Sequence, residues 1–167
     1  MENYGQKISE VDIGNTKITI FSNGSCNFVS NESSFDDDKN YLGMEFQCVE
    51  FVRRYIYLTH RENLALKWSD GDAIDWYGSR EEMDLEEVHF SDANIGDIIT
   101  FSGGLWGHVA VISKINHNKD IRICSQNFYN DVRDIDTIIS MDILEGKDEI
   151  KDASGTGFLF QSILRIK

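Results

Sequence analysis

The 167-residue sequence contains no proline at all. Loop punctuation therefore falls to 13 glycines and to clusters of Asn, Asp and Ser. Cysteine is also scarce. Cys26, Cys48 and Cys124 are odd in number and far apart, which excludes a disulfide framework and offers no Cys-x-x-Cys zinc half-site. Basic charge is outnumbered, with 16 Lys and Arg against 29 Asp and Glu, a net of −13. A surface this acidic repels phosphate backbones and anionic bilayers, so neither nucleic acid nor membrane is an expected partner, while cationic ligands would be attracted. No apolar run approaches a membrane span, and the opening MENYGQKISE lacks a secretory core. The expectation is a cytoplasmic protein; export without a cleaved signal would leave no trace here.

What is present is globular in kind. Hydrophobic residues make up 41% and charged residues 27%, a composition able to bury a core. With no repeat and no linker, residues 1–167 are expected to form one domain. TKITIFS (16–22) alternates and is β-branched, which predicts a short strand, and the polar stretch 23–40 predicts a loop. Cys48, Phe51, Val52, Tyr55 and Ile56 then recur at helical spacing on one face. One or two short helices are expected within 62–79, and a loop or helix end over 80–89.

From Gly96 the period shortens to two. GDIITF (96–101), HVAVISKI (108–115) and DIRICSQNF (120–128) predict three strands joined by short turns, an antiparallel meander. DTIISMDIL (136–144) and GFLFQSILRI (157–166) predict two more. Helices first and strands second, without βαβ alternation, define an α+β fold.

Two residues stand out against this background. Cys48 opens the helix, and His108 opens the second strand of the meander. By strand parity His108 shares a face with Ala110 and Ile112, and on the next strand Ser125 and Asn127 share a face with Ile121 and Ile123. A thiolate at a helix N-terminus is favoured by the dipole and by a neighbouring imidazolium. The histidine would take the thiol proton and later protonate a leaving amine, and a third polar group would fix its tautomer. Helix-start N–H groups, with the Gln47 side chain as a further donor, would hold an oxyanion. The plainer alternative stays open on pattern alone: a cysteine on an apolar helical face is usually core, and a histidine beside a glycine-rich turn is usually structural.

The wording of four blocks goes further. YLGMEFQCVEFVRRY, NIGDIITF, WGHVAVIS and IRICSQNF resemble the CHAP family of cysteine amidohydrolases and peptidases, and within it the amidase domain of bifunctional glutathionylspermidine synthetase/amidase. The resemblance implies a papain-like fold (CHAP/NlpC-P60-type), with N-terminal helices packed on an antiparallel sheet. It implies Cys48 as nucleophile, His108 as base and Gln47 beside the nucleophile. Arg53 matches an arginine near the active site, and Gln126 and Asn127 match the end of a Glu-Gln-Asn element. Arg53 and Gln126 are thereby expected to bind substrate. The substrate would be a small-molecule or peptide amide, in the closest likeness one with a polyamine arm. No cofactor and no metal are implied.

Two departures matter. Ser125 stands where the family has the glutamate that partners the histidine, and Phe46 replaces a tryptophan. Serine can hydrogen-bond the ring but supplies no charge to stabilise an imidazolium, which leaves three outcomes open: Asn127 orients the histidine as a catalytic partner, an acidic residue from elsewhere substitutes, or activity is weak or lost. Three functions follow as expectations: a glutathionylspermidine-type amidase, a peptidoglycan amidase or endopeptidase, and a binding module with weakened or lost catalysis.

Overall fold

The computed structural model describes residues 4–24, 28–68, 71–117, 120–127, 137–140, 149–150 and 157–167. Cys26, Phe128 and both ends of the expected 136–144 strand lie outside them. The chain opens with a hairpin, β1 (Lys7–Ile13) and β2 (Thr16–Phe21), and a second, β3 (Ser33–Phe35) and β4 (Tyr41–Met44). Helix α1 (Cys48–Thr59) follows. Short 3-10 turns at Leu64–Leu66 and Ala73–Asp75 lead to β5 (Leu85–Val88), and a third at Phe90–Asp92 leads to β6 (Ile98–Ser102). The remaining strands are β7 (His108–Ile115), β8 (Asp120–Cys124), β9 (Thr137–Ser140), β10 (Glu149–Ile150) and β11 (Phe158–Ile166).

The main sheet is antiparallel, in the order β10-β11-β6-β7-β8-β9, and β5 pairs with the far end of β11. The meander β6-β7-β8 stands as the alternation predicts, with Phe101 opposite His108 and Ile112 opposite Ile123. Its centre, β7, is buried on both faces from His108 to Ile112. On one face Val109, Val111 and Cys124 pack with Phe51, Val52, Tyr55 and Ile56 of α1. On the other, Ala110, Ile112, Ile121 and Ile123 pack with Phe101, Phe158 and Ile163.

Helix α1 presents the predicted apolar stripe, and Phe51 and Ile56 are fully buried. Glu50 and Arg53 are buried as well, because the helix is covered on a second side by β4 and the Trp68 segment. Gly43 of β4 lies so close that a Cβ there would stand 3.1 Å from the Glu50 backbone nitrogen. Phe51→Ala removes a fully buried ring at the helix–sheet contact and is expected to cost about 3–5 kcal/mol. Urea unfolding would report this as a lowered midpoint at unchanged slope.

The expected N-terminal helices are a correction. Among the described residues α1 is the one α-helix, and the 62–79 region supplies only 3-10 turns, because runs such as LALKW are too short to nucleate a free helix. The segment before α1 is β structure, including β1 and β3, and the polar 80–89 region contributes β5. No helix among the described residues is long and apolar enough to cross a membrane.

Candidate active site

The first turn of α1 packs against the start of β7, where Cys48 meets Val109. Gln47 is the N-cap of α1, with extended backbone angles and no side-chain cap bond. The N–H groups of the first turn are therefore left for other acceptors. Cys48 is partly exposed, yet the atoms packed around its sulfur push the thiol up to about 11. The backbone N–H groups of Val109, Val49 and Cys48 itself point at the sulfur and pull the other way, and the Asp72 carboxylate adds to the rise. The thiol is thus seated against the residue that follows His108.

His108 is buried, at 1% exposure. Its Nε2 lies 2.9 Å from Ser125 Oγ. Its ring stands 5.1 Å from that of Phe158 and 6.3 Å from that of Phe101. These aromatic neighbours limit ring rotation, and the hydroxyl sets one nitrogen. Ser125 therefore occupies the position of a histidine partner, as parity along β8 predicts. Asn127 does not share it. Its backbone turns left-handed, with φ 56°, and its Nδ2 donates instead to Gln47 Oε1 at 2.7 Å.

Three other expected site residues, Gln47, Arg53 and Gln126, have protein partners for their side chains. The Gln47 side chain donates from Nε2 to Phe28 O at 2.8 Å and to Asn23 Oδ1 at 3.2 Å. Both amide hydrogens are thereby directed at protein acceptors, so an oxyanion role for that side chain would require breaking these bonds. Arg53 is 1% exposed; it donates to the Trp68 carbonyl, and its guanidinium lies 5.6 Å from the Trp68 ring and 5.9 Å from that of Tyr41. The guanidinium is thus enclosed by protein groups. Gln126 is equally buried and bonds to Phe21, Arg54, Glu50 and Gln47. The family resemblance suggested recognition; burial gives both side chains interior partners.

Sequence reasoning missed Glu50 and Arg54. Arg54 Nε donates to Glu50 Oε1 at 2.7 Å, an i,i+4 pair that was visible as spacing. That the pair would be interior was not visible. Among the described residues no group of His, Cys, Asp or Glu is arranged to hold a metal ion.

A cysteine at a helix start and a hydroxyl-held histidine at a strand start, on an antiparallel sheet, are residue types that cysteine-dependent amide hydrolases use. The CHAP domain profile matches residues 37–127, more than half of the sequence and the span that carries Cys48, His108 and Ser125. The chain belongs to the CHAP domain family, with its antiparallel sheet, few helices and amide-bond hydrolase character. Among solved structures it is similar to an N-acetylmuramoyl-L-alanine amidase from Staphylococcus aureus, at TM-score 0.46 and 19% identity. The match covers 83% of this chain and 36% of that one. No curated protein matches the sequence.

Proposed function

We propose that the chain is a cysteine-dependent hydrolase of a peptide-type amide, with Cys48 as nucleophile and His108 as base. The observation that carries the reading is the seating of the Cys48 sulfur among helix-start N–H groups and that of Val109, the residue in β7 that follows His108, whose ring is held by Ser125. In the first half-reaction the sulfur attacks the carbonyl carbon while His108 accepts the thiol proton. The C–N bond then breaks, His108 gives that proton to the departing nitrogen, and a thioester remains on Cys48. Water then attacks the thioester, losing a proton to His108, and the acid and the thiol are restored. Backbone N–H groups at the start of α1 receive the charge that develops on the carbonyl oxygen.

Because burial and Asp72 disfavour an isolated thiolate, and Ser125 offers no charge to an imidazolium, the resting pair in this reading is neutral thiol and neutral imidazole. His108 then works as a general base at the moment of attack. Ser125 orients the ring by accepting from Nε2–H, which leaves Nδ1 unprotonated for the thiol. Ser125→Ala removes this bond and is expected to lower the rate about tenfold, the scale of one net hydrogen bond. Single-turnover hydrolysis is the measurement.

For the substrate, amides of peptide character, such as the stem peptides of cell-wall peptidoglycan, come first as the usual province of CHAP domains. A glutathione–polyamine amide keeps only the support of the motif wording and of the acidic surface. Purified sacculi and glutathionylspermidine, incubated in parallel, separate the two by released muropeptides or free spermidine. Product yields no higher than those of Cys48→Ala on both would overturn the hydrolase reading in favour of a binding module.

A further inference from the structure

We infer that Gln126 is a positioning residue, which sets the start of α1, and with it Cys48, against the strand end that holds His108. The inference rests on the cysteine–histidine reading above and concerns how that pair is held.

Residues 125–127 leave β8 as a tripeptide that touches His108, the N-cap Gln47 and the first turn of α1. Ser125 bonds His108 Nε2 at 2.9 Å, and Asn127 bonds Gln47 Oε1 at 2.7 Å. Between them Gln126, 1% exposed, reaches into the first turn of α1. Its Nε2 donates to Glu50 Oε2 at 2.8 Å and to the Gln47 carbonyl at 3.4 Å. Its Oε1 accepts from Phe21 N–H and from an Arg54 terminal nitrogen, both at 2.9 Å. Two donors face acceptors and two lone-pair positions face donors, so the amide has one orientation; a flip would oppose N–H to N–H and oxygen to carboxylate.

The partners are themselves held. Glu50 is 3% exposed and takes Arg54 Nε at 2.7 Å and Ser34 Oγ at 3.3 Å. Arg54 also donates to Thr19 O at 2.6 Å. One buried amide thus ties β2, the first turn of α1 and the end of β8. Its two sequence neighbours hold His108 and the N-cap residue. A buried network in which every member is satisfied specifies one arrangement, since any shift leaves a polar group unpaired at low dielectric. The side chain bonds Glu50, Gln47, Phe21 and Arg54, so its effect on the pair is through placement.

The test uses iodoacetamide as the probe and follows alkylation of Cys48 against pH by peptide mass spectrometry, so it needs no substrate. Variants are Gln126→Glu, Glu50→Gln and the double exchange. Gln126→Glu sets two carboxylates against each other, and Glu50→Gln removes the acceptor charge. The double exchange restores a donor–acceptor contact with its direction reversed. Each single variant is expected to slow Cys48 alkylation at pH 7 at least tenfold, toward the His108→Ala profile, and the double exchange to recover most of the loss. Buried Cys124 reports folding in the same spectra, because it is alkylated only when the chain opens.

A folded Gln126→Glu with the wild-type profile overturns the inference. So does a double exchange that protects Cys124 but leaves Cys48 slow. If both the single and the double variants expose Cys124, the network carries the fold rather than the pair, and the positioning role is likewise rejected. His108→Ala separates the underlying reading: if it leaves the Cys48 profile unmoved, the cysteine–histidine pair fails, whereas a shift with His108→Ala and none with Gln126→Glu fails the positioning role alone.

Discussion

In His108→Ala, alkylation of Cys48 by iodoacetamide at pH 7 is expected to slow by at least about tenfold, and hydrolysis by about 10²–10⁴-fold, the usual contribution of a positioned base. The sign follows from the environment of the thiol. The thiol is an acid whose charged form is disfavoured by burial and by Asp72, so its pKa rises; N–H groups of Val109, Val49 and Cys48 offset part of that rise, and the balance is about 11. At such a value roughly one thiol in 10⁴ is ionised at pH 7. Without the imidazole the alkylation rate should therefore climb with pH toward a midpoint near 11. With it, the rate at neutral pH is carried by proton transfer to His108. Identical profiles in wild type and variant would remove His108 from the chemistry. Cys48→Ala should abolish hydrolysis outright, since neither half-reaction has another nucleophile.

Gly107→Ala is expected to destabilise the fold by about 2–4 kcal/mol and to lower hydrolysis by about 10²-fold or more. Gly107 immediately precedes His108 and has φ 66°, a left-handed conformation that costs a residue with a Cβ about 1 kcal/mol. Sterics add the larger part. A Cβ at this position would stand 2.6 Å from Phe101 O, 2.8 Å from Ile74 N and 2.9 Å from Ile74 Cα. All three are backbone atoms, and no side chain can rotate to make room. The 3-10 turn carrying Ile74 is bonded to the same loop, its N–H donating to Trp106 O at 2.9 Å. The β6–β7 turn must therefore move, and His108 moves with it. Gly14→Ala is the matched control: φ is 60°, but nothing lies within 4 Å of its Cβ. It should show the conformational cost alone, with unchanged hydrolysis. Urea unfolding separates the two costs. A Gly107→Ala protein as stable and active as Gly14→Ala would show that the turn is not held where the structure has it.

Local sequence was enough for the elements whose signal is periodic. The α1 stripe of Phe51, Val52, Tyr55 and Ile56 and the alternation of β6, β7, β8 and β11 are written in neighbouring residues, because each face must meet the core at its own period. The same parity placed Ser125 on the His108 face. It failed for Asn127, whose left-handed backbone leaves the strand and breaks the period of two. Strands β1, β3, β4, β5 and β10 were missed because they are short or polar and gain their order from a partner: β5 pairs with β11, far along the chain.

The site divides along the same line. The positions of Cys48 and His108 were legible because a helix start and a strand start are local events. The roles of Gln47, Arg53 and Gln126 were not legible. Their residue types suit substrate recognition, but the tertiary structure encloses them and directs their polar atoms at Phe28, at Trp68, and at Glu50, Phe21 and Arg54. Whether a polar side chain meets ligand or protein depends on what is packed over it. Those covering groups come from residues up to 105 positions away. Sequence alone determined which residues could do the chemistry and the period of the elements that bear them. Tertiary structure decided which polar groups hold the site together, because burial makes each of them find a partner that only the folded chain can bring.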